Sequence, residues 1–343
     1  MTAPDAAPPR DEDDLDERLS RPCSSLAAVL STVPGDLVIL GAGGKMGPSL
    51  ARMARRADPA RRIIAVSRWS DATKAAALRA FGVETVEADL LDPRALAALP
   101  SAPNVVFMAG QKFGTTGSPA TTWAMNAAVP AFVAERYAGA RTVVFSTGNV
   151  YALTPPSSGG SLEDDPPQPN GEYANSCLAR ERLFGAAAAR HGSPIAIVRL
   201  NYANDLRYGV LTDLAARLLR REPIDLRMSH VNVIWQGDAN ALALAALARA
   251  ASPEPFVVNV AGPVVLRVAD LARALARRLD VPADFTGEEG ADALLSNASR
   301  MSRLTGDPLL PLDTLLDWVA AWVGSGGRLL GKPTGFERRD GRF

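Results

Sequence analysis

Several residue types are scarce in this sequence of 343 residues. Its two cysteines are too few for a disulfide framework. Together with the two histidines, they form no cluster with metal-ligand spacing. No apolar run reaches the length of a membrane span, and the first residues lack the basic-then-apolar layout of a secretory signal. These scarcities predict a cytoplasmic protein without a metal ion or a membrane partner.

Neither sign of charge is in excess. Lys+Arg and Asp+Glu both number 37, so nothing indicates a surface for nucleic acid or for an anionic membrane. The basic residues are nearly all arginine, and lysine occurs only at positions 45, 74, 112 and 332. We therefore expect a small-molecule partner and no nucleic acid.

A glycine-rich stretch follows the apolar run at residues 37–40 and precedes a helix-like stretch. Its glycines have G-x-x-G-x-x-G spacing, which suits a tight turn, a close backbone approach to a ligand and close packing of helix on strand. A glycine turn without a ligand is the alternative, but the flanking strand and helix favour a site for a dinucleotide pyrophosphate. The predicted site comprises Gly41, Gly44, Lys45, Met46 and Gly47.

Strand-like and helix-like stretches alternate along the chain. We expect strands at 37–40, 63–66, 83–88, 105–108, 142–146, 195–199 and 256–260, and helices at 44–57, 120–138, 172–190, 208–221 and 237–251. This alternation predicts an α/β fold, a doubly wound, Rossmann-like parallel sheet with a small C-terminal substrate lobe. The predicted divisions are a flexible acidic tail (1–33) with a short helix near 24–30, a dinucleotide-binding domain (34–200), a mixed substrate lobe with returning Rossmann elements (201–325) and a C-terminal tail (326–343).

Ligands of such sheets lie beyond the carboxyl ends of the strands, so the residues that follow each strand are candidates for cofactor binding. Ser67 and Arg68 follow the second strand, where a carboxylate suits NAD and an arginine suits the 2′-phosphate of NADP. The sequence therefore favours NADP, with NAD as the alternative. A turn-capping role is the alternative for the aspartate after the third strand. The remaining candidates are Asp89, Leu90, Ala109 and Gly110.

At this point the sequence resembles an extended short-chain dehydrogenase/reductase of the NAD-dependent epimerase/dehydratase family. The resemblance covers roughly residues 36–325. It rests on the glycine spacing, Asp89-Leu90, the stretch from Ser146-Thr147 to Tyr151, Tyr173 with Ser176 and Glu181, and Gly237-Asp238-Ala239. It implies an NAD(P)-dependent oxidoreductase or epimerase/dehydratase-like enzyme and, by analogy, a homodimer.

The resemblance also implies a catalytic group of a Ser/Thr hydroxyl, a tyrosine and a lysine four residues beyond the tyrosine. Thr147 and Tyr173 match the first two, and Asn126 resembles the helix asparagine of the family. Cys177 stands where the lysine is expected, and a neutral thiol cannot lower the pKa of a phenol as a cation does. Three alternatives stay open: a recruited cation (Arg180 or Lys112), a tyrosine that acts only as a neutral donor, or a catalytically weak or inactive regulatory or scaffold protein.

Residues of the second half are predicted to contact the substrate. Val231 stands where nucleotide-sugar members of the family commonly have an arginine, which favours a smaller sugar, polyol or hydroxy acid. A hydroxyl or carbonyl group of such a molecule is the predicted point of reaction. The candidate substrate contacts are Lys112, Asn201, Tyr202 and His230.

Overall fold

A parallel sheet of seven strands lies at the centre of the part of the chain that the structure describes, residues 7–112, 114, 117–332 and 334–342 of a computed structural model. The strands of this sheet are β1 (Leu37–Leu40), β2 (Ile63–Ser67), β3 (Glu84–Glu87), β4 (Asn104–Phe107), β5 (Arg141–Thr147), β6 (Ile195–Leu200) and β7 (Phe256–Val260). Their order across the sheet is β3-β2-β1-β4-β5-β6-β7. The predicted doubly wound parallel sheet is confirmed.

The central strands are short apolar runs because helices cover both faces of the sheet. Every residue of β1 is fully buried, and its last residue, Leu40, is in register with Val66 of β2 and Phe107 of β4. The parallel register brings the carboxyl ends of β1, β4 and β5 to one edge of the sheet. That edge is where the glycine loop and Thr147 lie.

The helices have the following bounds in the described residues. Those before β5 are Glu12–Leu19, Leu26–Ser31, Gly47–Ala57, Ala72–Ala80, Pro93–Ala98, Pro119–Trp123 and Val129–Arg136. Those after it are Gly171–His191, Val210–Leu219, Gln236–Ala245, Val268–Leu279 and Leu312–Gly324. Short two-strand pairs, such as Ala203–Asn204 with Ile234–Trp235, shape the second half of the chain. No helix of the described residues is long and apolar enough to cross a membrane.

The helix predicted over 120–138 contains a π-helical turn at Ala124–Ala128. The N–H of Val129 bonds the carbonyl of Ala124, five residues back. Pro130 follows immediately and has no N–H to donate, so the regular helical ladder is interrupted here. The turn contains Asn126, whose contacts are described below.

The N-terminal segment differs from the predicted flexible tail. Its described part forms the helices Glu12–Leu19 and Leu26–Ser31, and residues 1–6 lie outside the described residues. Leu15 and Leu19, four residues apart, form one apolar helix face and are fully buried. The acidic face of the same helix pairs with arginines elsewhere, for example Glu17 with Arg56 at 2.8 Å. Charge-rich composition concealed an amphipathic helix.

The C-terminal segment also packs on the protein instead of forming a loose tail. The Thr334 N–H and Oγ1 donate to Asp213 Oδ2 at 2.7 and 2.6 Å. Phe336 is only 5% exposed and belongs to the hydrophobic core of the second half. Residues 333 and 343 lie outside the described residues. A buried aromatic side chain and a half-buried carboxylate therefore fix a segment that has no helical or strand period.

Candidate active site

A cavity of about 610 Å³ lies at the carboxyl edge of the sheet. One end is lined by the glycine loop and the end of β4, and the middle by the end of β5 and the start of the helix Gly171–His191. Leu200–Ala203, Tyr208, Val210 and described residues of the C-terminal segment, among them Lys332 and Thr334, line the rest of the pocket. Both halves of the chain therefore contribute to one pocket.

The glycine loop has the geometry of a nucleotide cradle. Gly41 has φ +90°, and a Cβ there would lie 2.5 Å from the Ala109 N of the neighbouring strand end. A Cβ on Gly47 would lie 2.1 Å from the Ala42 carbonyl oxygen, so this glycine packs the helix on the loop. Gly44 faces the pocket, and a Cβ there would meet only the Gly41 oxygen at 3.4 Å. The backbone open at Gly44 fits the pyrophosphate of a dinucleotide.

The end of β2 adds polar and basic groups beside this loop. A Cβ on Gly43 would lie 2.4 Å from Ser67 Oγ, and Lys74 Nζ donates to the Gly43 carbonyl at 3.2 Å. Arg68, directly after Ser67, is exposed. Lys74 is a cation at this corner that the sequence reasoning missed, because it lies on the next helix.

Of the residues predicted to contact the cofactor, those after β3 lie in a turn and in the core, whereas those after β4 lie at the glycine loop and the pocket. Asp89 Oδ1 accepts a hydrogen bond from the Leu91 N–H at 3.0 Å, as a turn-capping aspartate does, and Leu90 is buried in the core. Ala109 lies under Gly41, and Gly110 lines the pocket. The small residues after β4 therefore lie beside the glycine loop, as the sequence predicts.

Thr147 and Tyr173 meet in the pocket. Thr147 ends β5 and is buried, and its Oγ1 accepts from the Asn149 N–H at 3.1 Å. Tyr173, in the first turn of the helix Gly171–His191, is hydrogen-bonded with Thr147. Burial raises the pKa of the Tyr173 phenol far above its usual range, more than the Thr147 hydrogen bond and the Arg180 charge lower it. The phenol therefore keeps its proton at neutral pH in the ligand-free pocket.

Cys177 lies one helical turn beyond Tyr173, where the family resemblance implies a lysine. It is fully buried in a small cluster with Val150, Tyr151 and Leu178. Burial raises the pKa of the thiol, so it is neutral at physiological pH. Cys177 brings no positive charge to the phenol.

Two cations lie near Tyr173, and they differ in their surroundings. Lys112 lines the pocket, with its Nζ 5.9 Å from the centroid of the Tyr173 ring. Arg180 is 5% exposed and donates to the Phe145 carbonyl at 2.7 Å and to Asn126 Oδ1 at 2.9 Å. Arg180 thus bonds groups of the fold, whereas Lys112 lines the pocket.

Asn126 holds the loop that carries Lys112. It is fully buried, and its Oδ1 accepts from the Gln111 N–H at 2.8 Å while its Nδ2 donates to the Gln111 carbonyl at 2.9 Å. The Nδ2 also donates to Ser176 Oγ at 3.0 Å on the tyrosine helix. Asn126 is not among the residues that line the pocket, so its contacts are those of a positioning residue.

The predicted substrate contacts do not all come together. Lys112, Asn201 and Tyr202 line the pocket. His230 lies in a two-residue strand that pairs with Leu266–Arg267, and its Nδ1 is 2.9 Å from Ser229 Oγ. The structure does not bring His230 to the pocket.

Other lining residues were missed by the sequence reasoning. Tyr208 and the C-terminal residues Lys332, Thr334, Phe336 and Arg338 belong to the pocket. The aromatic residue at 336 was the one sequence signal for this segment, since disordered tails seldom carry aromatics. The position of Lys332 depends on how the segment crosses the pocket, which local patterns do not encode.

This sheet, the glycine loop and the Thr147–Tyr173 pair define a Rossmann-like protein of the extended short-chain dehydrogenase/reductase class. The chain belongs to the NAD dependent epimerase/dehydratase family, whose model matches residues 37–261. The family predicted from the sequence is confirmed. A comparison with curated proteins found no match.

Solved structures show the same fold at low sequence identity. The UDP-glucuronic acid 4-epimerase from Bacillus cereus, in complex with UDP-glucuronic acid and NAD, is 17% identical with a TM-score of 0.68, over 83% of this chain and 99% of that one. The UDP-glucose 4-epimerase from Thermotoga maritima is 14% identical with a TM-score of 0.69, over 85% of this chain and 99% of that one. Pal from Bacillus thuringiensis is 16% identical with a TM-score of 0.71, over 84% and 99%.

Proposed function

We propose that this protein is an NAD(P)-dependent oxidoreductase of the epimerase or dehydratase type that acts on a hydroxyl or carbonyl group of a sugar, a polyol or a hydroxy acid. The observation that carries the proposal is the presence of Tyr173, Thr147 and Lys112 in the same pocket as Gly41 and Gly44. Family membership supports an enzyme and does not favour a binding protein without turnover.

The residues present fit a dinucleotide. The backbone of Gly41 and Gly44, at the start of the helix Gly47–Ala57, would hold its pyrophosphate, and Ala109 and Gly110 leave room beside it. The Bacillus cereus structure holds NAD, which supports NAD as the cofactor class. Arg68 follows β2 directly and Lys74 Nζ donates to the Gly43 carbonyl, and two cations beside the glycine loop support NADP over NAD.

Tyr173, Thr147 and Lys112 each have a different role in proton transfer. A bound nicotinamide ring supplies the site that accepts or donates hydride. Tyr173 carries its proton at neutral pH and gives it to a carbonyl oxygen in the reducing direction, and takes it back in the oxidising direction. Thr147, hydrogen-bonded with the phenol, orients the substrate oxygen. The Lys112 ammonium, beside the ring, stabilises the phenolate and so takes over the part of the missing lysine.

A screen of sugars, polyols and sugar acids for reduction of NAD or NADP tests this function. We expect turnover with at least one substrate, and a fall of about 10²–10⁴-fold in kcat for Tyr173→Phe. Tyr137→Phe is the matched control, because Tyr137 bonds the Pro100 carbonyl outside the pocket. An unchanged rate for Tyr173→Phe would show that the phenol is not the proton carrier.

The choice of cofactor is tested by titrating both dinucleotides into the wild type and into Arg68→Ala and Lys74→Ala. We expect both variants to lose about tenfold in affinity for NADP and little for NAD, since only NADP presents a 2′-phosphate to these cations. Equal losses for both dinucleotides would remove the argument for NADP.

The homodimer that the resemblance implies stays a prediction, and sedimentation velocity tests it.

A further inference from the structure

The hydrophobic core of the second half of the chain reaches the surface of the pocket. Four residues of this core line the cavity, and each is at most 8% exposed. Two half-buried residues that pack against the same core line the cavity as well. We call these six residues the apolar wall: Val210, Met228, Leu294 and Phe336 from the core, with Leu153 and Tyr202 beside them.

Hydrogen bonds hold the parts of the apolar wall together. The residue after Leu153 and the residue before Leu294 exchange two backbone hydrogen bonds, at 2.8 and 2.9 Å. The Leu294 N–H donates to Met228 Sδ at 3.3 Å. Asn201, the polar neighbour of Tyr202, donates its Nδ2 to the Leu294 carbonyl at 3.4 Å and to Ser296 Oγ at 3.3 Å. The wall is therefore a built surface, and its adjacent amide bonds the fold.

Tyr202 has an unusual backbone conformation. Its φ of +49° lies in the left-handed region, which tyrosine rarely adopts. The Tyr202 carbonyl accepts from the Ile234 N–H at 3.2 Å and from Asn204 Nδ2 at 2.6 Å, so the fold holds this conformation. The other described non-glycine residues with positive φ do not line the pocket: Trp69, Arg221 and Asp280. Strain of this kind concentrates at ligand sites, and it indicates that the ring is placed for a ligand.

The apolar wall belongs to the same pocket as Thr147 and Tyr173. It carries no charge at neutral pH, because burial and the Glu337 carboxylate raise the pKa of the Tyr202 phenol above its usual range and the other five side chains are apolar. A ligand at the wall is therefore recognised by removal of apolar surface from water.

We propose that the substrate carries an aryl or alkyl group, which binds the apolar wall against the Tyr202 ring while the reacting hydroxyl or carbonyl lies at Thr147 and Tyr173. This inference rests on the proposed function and narrows its substrate to a polyol or hydroxy acid with an apolar substituent. The apolar group covers wall that water contacts in the empty pocket, and it orients the polar end towards the phenol of Tyr173.

The test is a ligand-observed NMR titration of the full chain, saturated with the dinucleotide that it binds more tightly. The probes are three neutral diols that differ only in the group on the third carbon: glycerol (hydroxyl), propylene glycol (hydrogen) and 3-phenyl-1,2-propanediol (phenyl). We expect the phenyl diol to bind at least about tenfold more tightly than either of the others, since only its ring buries a large apolar surface.

Variants of the apolar wall locate the binding. Tyr202→Gly removes the ring and leaves a residue that adopts positive φ readily, so we expect about tenfold lower affinity for the phenyl diol and unchanged affinity for glycerol. Arg221→Gly is the matched control, because Arg221 also has positive φ but is exposed and outside the pocket. If Tyr202→Gly does not fold, Leu153→Gln places an amide in the half-buried part of the wall and should reduce the preference for the phenyl diol by about as much.

Equal affinities for the three diols, or an unchanged preference in the wall variants, would overturn the inference. So would displacement of the phenyl diol by the dinucleotide, since the wall would then hold part of the cofactor. Failure of the proposed function is a separate result: the wild type would bind neither dinucleotide. In that case the same probes and variants, applied to the dinucleotide-free chain, still decide whether the wall binds an apolar group.

Discussion

Two groups of cations, the buried Arg199 and the pocket lysines, differ in their surroundings. Arg199 is paired with Glu181 at 2.8 Å and donates to the Tyr151 hydroxyl at 2.7 Å, and all three side chains are buried. Lys45, Lys112 and Lys332 instead line the pocket, where the Lys45 Nζ lies over the Tyr208 ring and the Lys112 Nζ lies 5.9 Å from the centroid of the Tyr173 ring. We expect the charge of Arg199 to serve the structure and the charge of Lys112 to serve the reaction. Substitutions should therefore separate stability from function.

The largest expected effect is on the buried pair. Glu181→Leu leaves the Arg199 guanidinium buried without its carboxylate, and we expect the free energy of unfolding to fall by about 3–5 kcal/mol. Chemical denaturation measures this loss. The double variant Glu181→Leu/Arg199→Met should recover most of it, because it removes both charges. A loss well below 1 kcal/mol in the single variant would contradict the structural part assigned to the pair.

Lys112→Met should lower activity without lowering stability, the opposite of the change expected for Glu181→Leu. We expect kcat to fall about 10–100-fold, because the cation beside the Tyr173 phenol is lost. The free energy of unfolding should not fall, because burial already lowers the pKa of this lysine to about 8 and its charge is costly in the fold. Steady-state kinetics and denaturation of the same preparation measure both quantities. Loss of stability with unchanged kcat would assign Lys112 to the fold.

The pH dependence sharpens the assignment of Lys112. Its ammonium is charged below its folded pKa of about 8 and loses its proton above it, so wild-type kcat should decline as the pH rises through 8. Lys112→Met should lack this decline while keeping its low rate. A wild-type and a variant profile with the same alkaline limb would show that another group titrates there.

A further effect concerns Asp238, a half-buried carboxylate that belongs to neither group. Its Oδ2 accepts from the Leu310 N–H at 2.8 Å, and burial raises its pKa from 3.8 to about 6. The folded state therefore binds this proton more tightly, and stability falls as the pH rises from about 4 to 6. Asp238→Asn, whose amide oxygen still accepts from Leu310, should be more stable than the wild type by about 3 kcal/mol at pH 8 and equal to it near pH 3. Equal unfolding free energies at pH 8 would contradict the raised pKa.

The central sheet was predictable from the sequence. Most strands contain a short apolar run followed by a turn or helix signal, and all seven predicted strands are present within about one residue of their observed bounds. The glycine spacing likewise agrees with the positive φ of Gly41 and with the packing of Gly47 on Ala42, because both are set by nearby residues. These features depend on neighbours in the chain.

The two ends of the chain were not predictable in the same way. The N-terminal helix was masked by its acidic residues, although Leu15 and Leu19 form a buried face. The C-terminal segment has no period, and its position depends on the distant partners Asp213 and Asn170. Composition describes only the average of a segment. Whether the segment packs on the protein depends on single side chains, here Leu15 with Leu19 at one end and Phe336 at the other.

The candidate site was predictable in part. Thr147 and Tyr173 follow from the family resemblance, and Lys112 stood among the cations considered for the missing lysine. The convergence of Lys45, Lys112 and Lys332, from three distant parts of the chain, requires the three-dimensional fold. His230 illustrates the reverse case, because its position before an apolar strand-like run does not carry it to the pocket.

The most direct test of the account is the affinity of the wild type and of Gly44→Val for NAD and NADP, measured by calorimetry beside the thermal midpoint of each protein. A side chain at position 44 meets little of the fold but enters the proposed cradle of the pyrophosphate. The account predicts one dinucleotide bound per chain, an affinity at least about tenfold weaker in the variant and a nearly unchanged thermal midpoint. Equal affinity in both proteins, or no dinucleotide binding by the wild type, would contradict it.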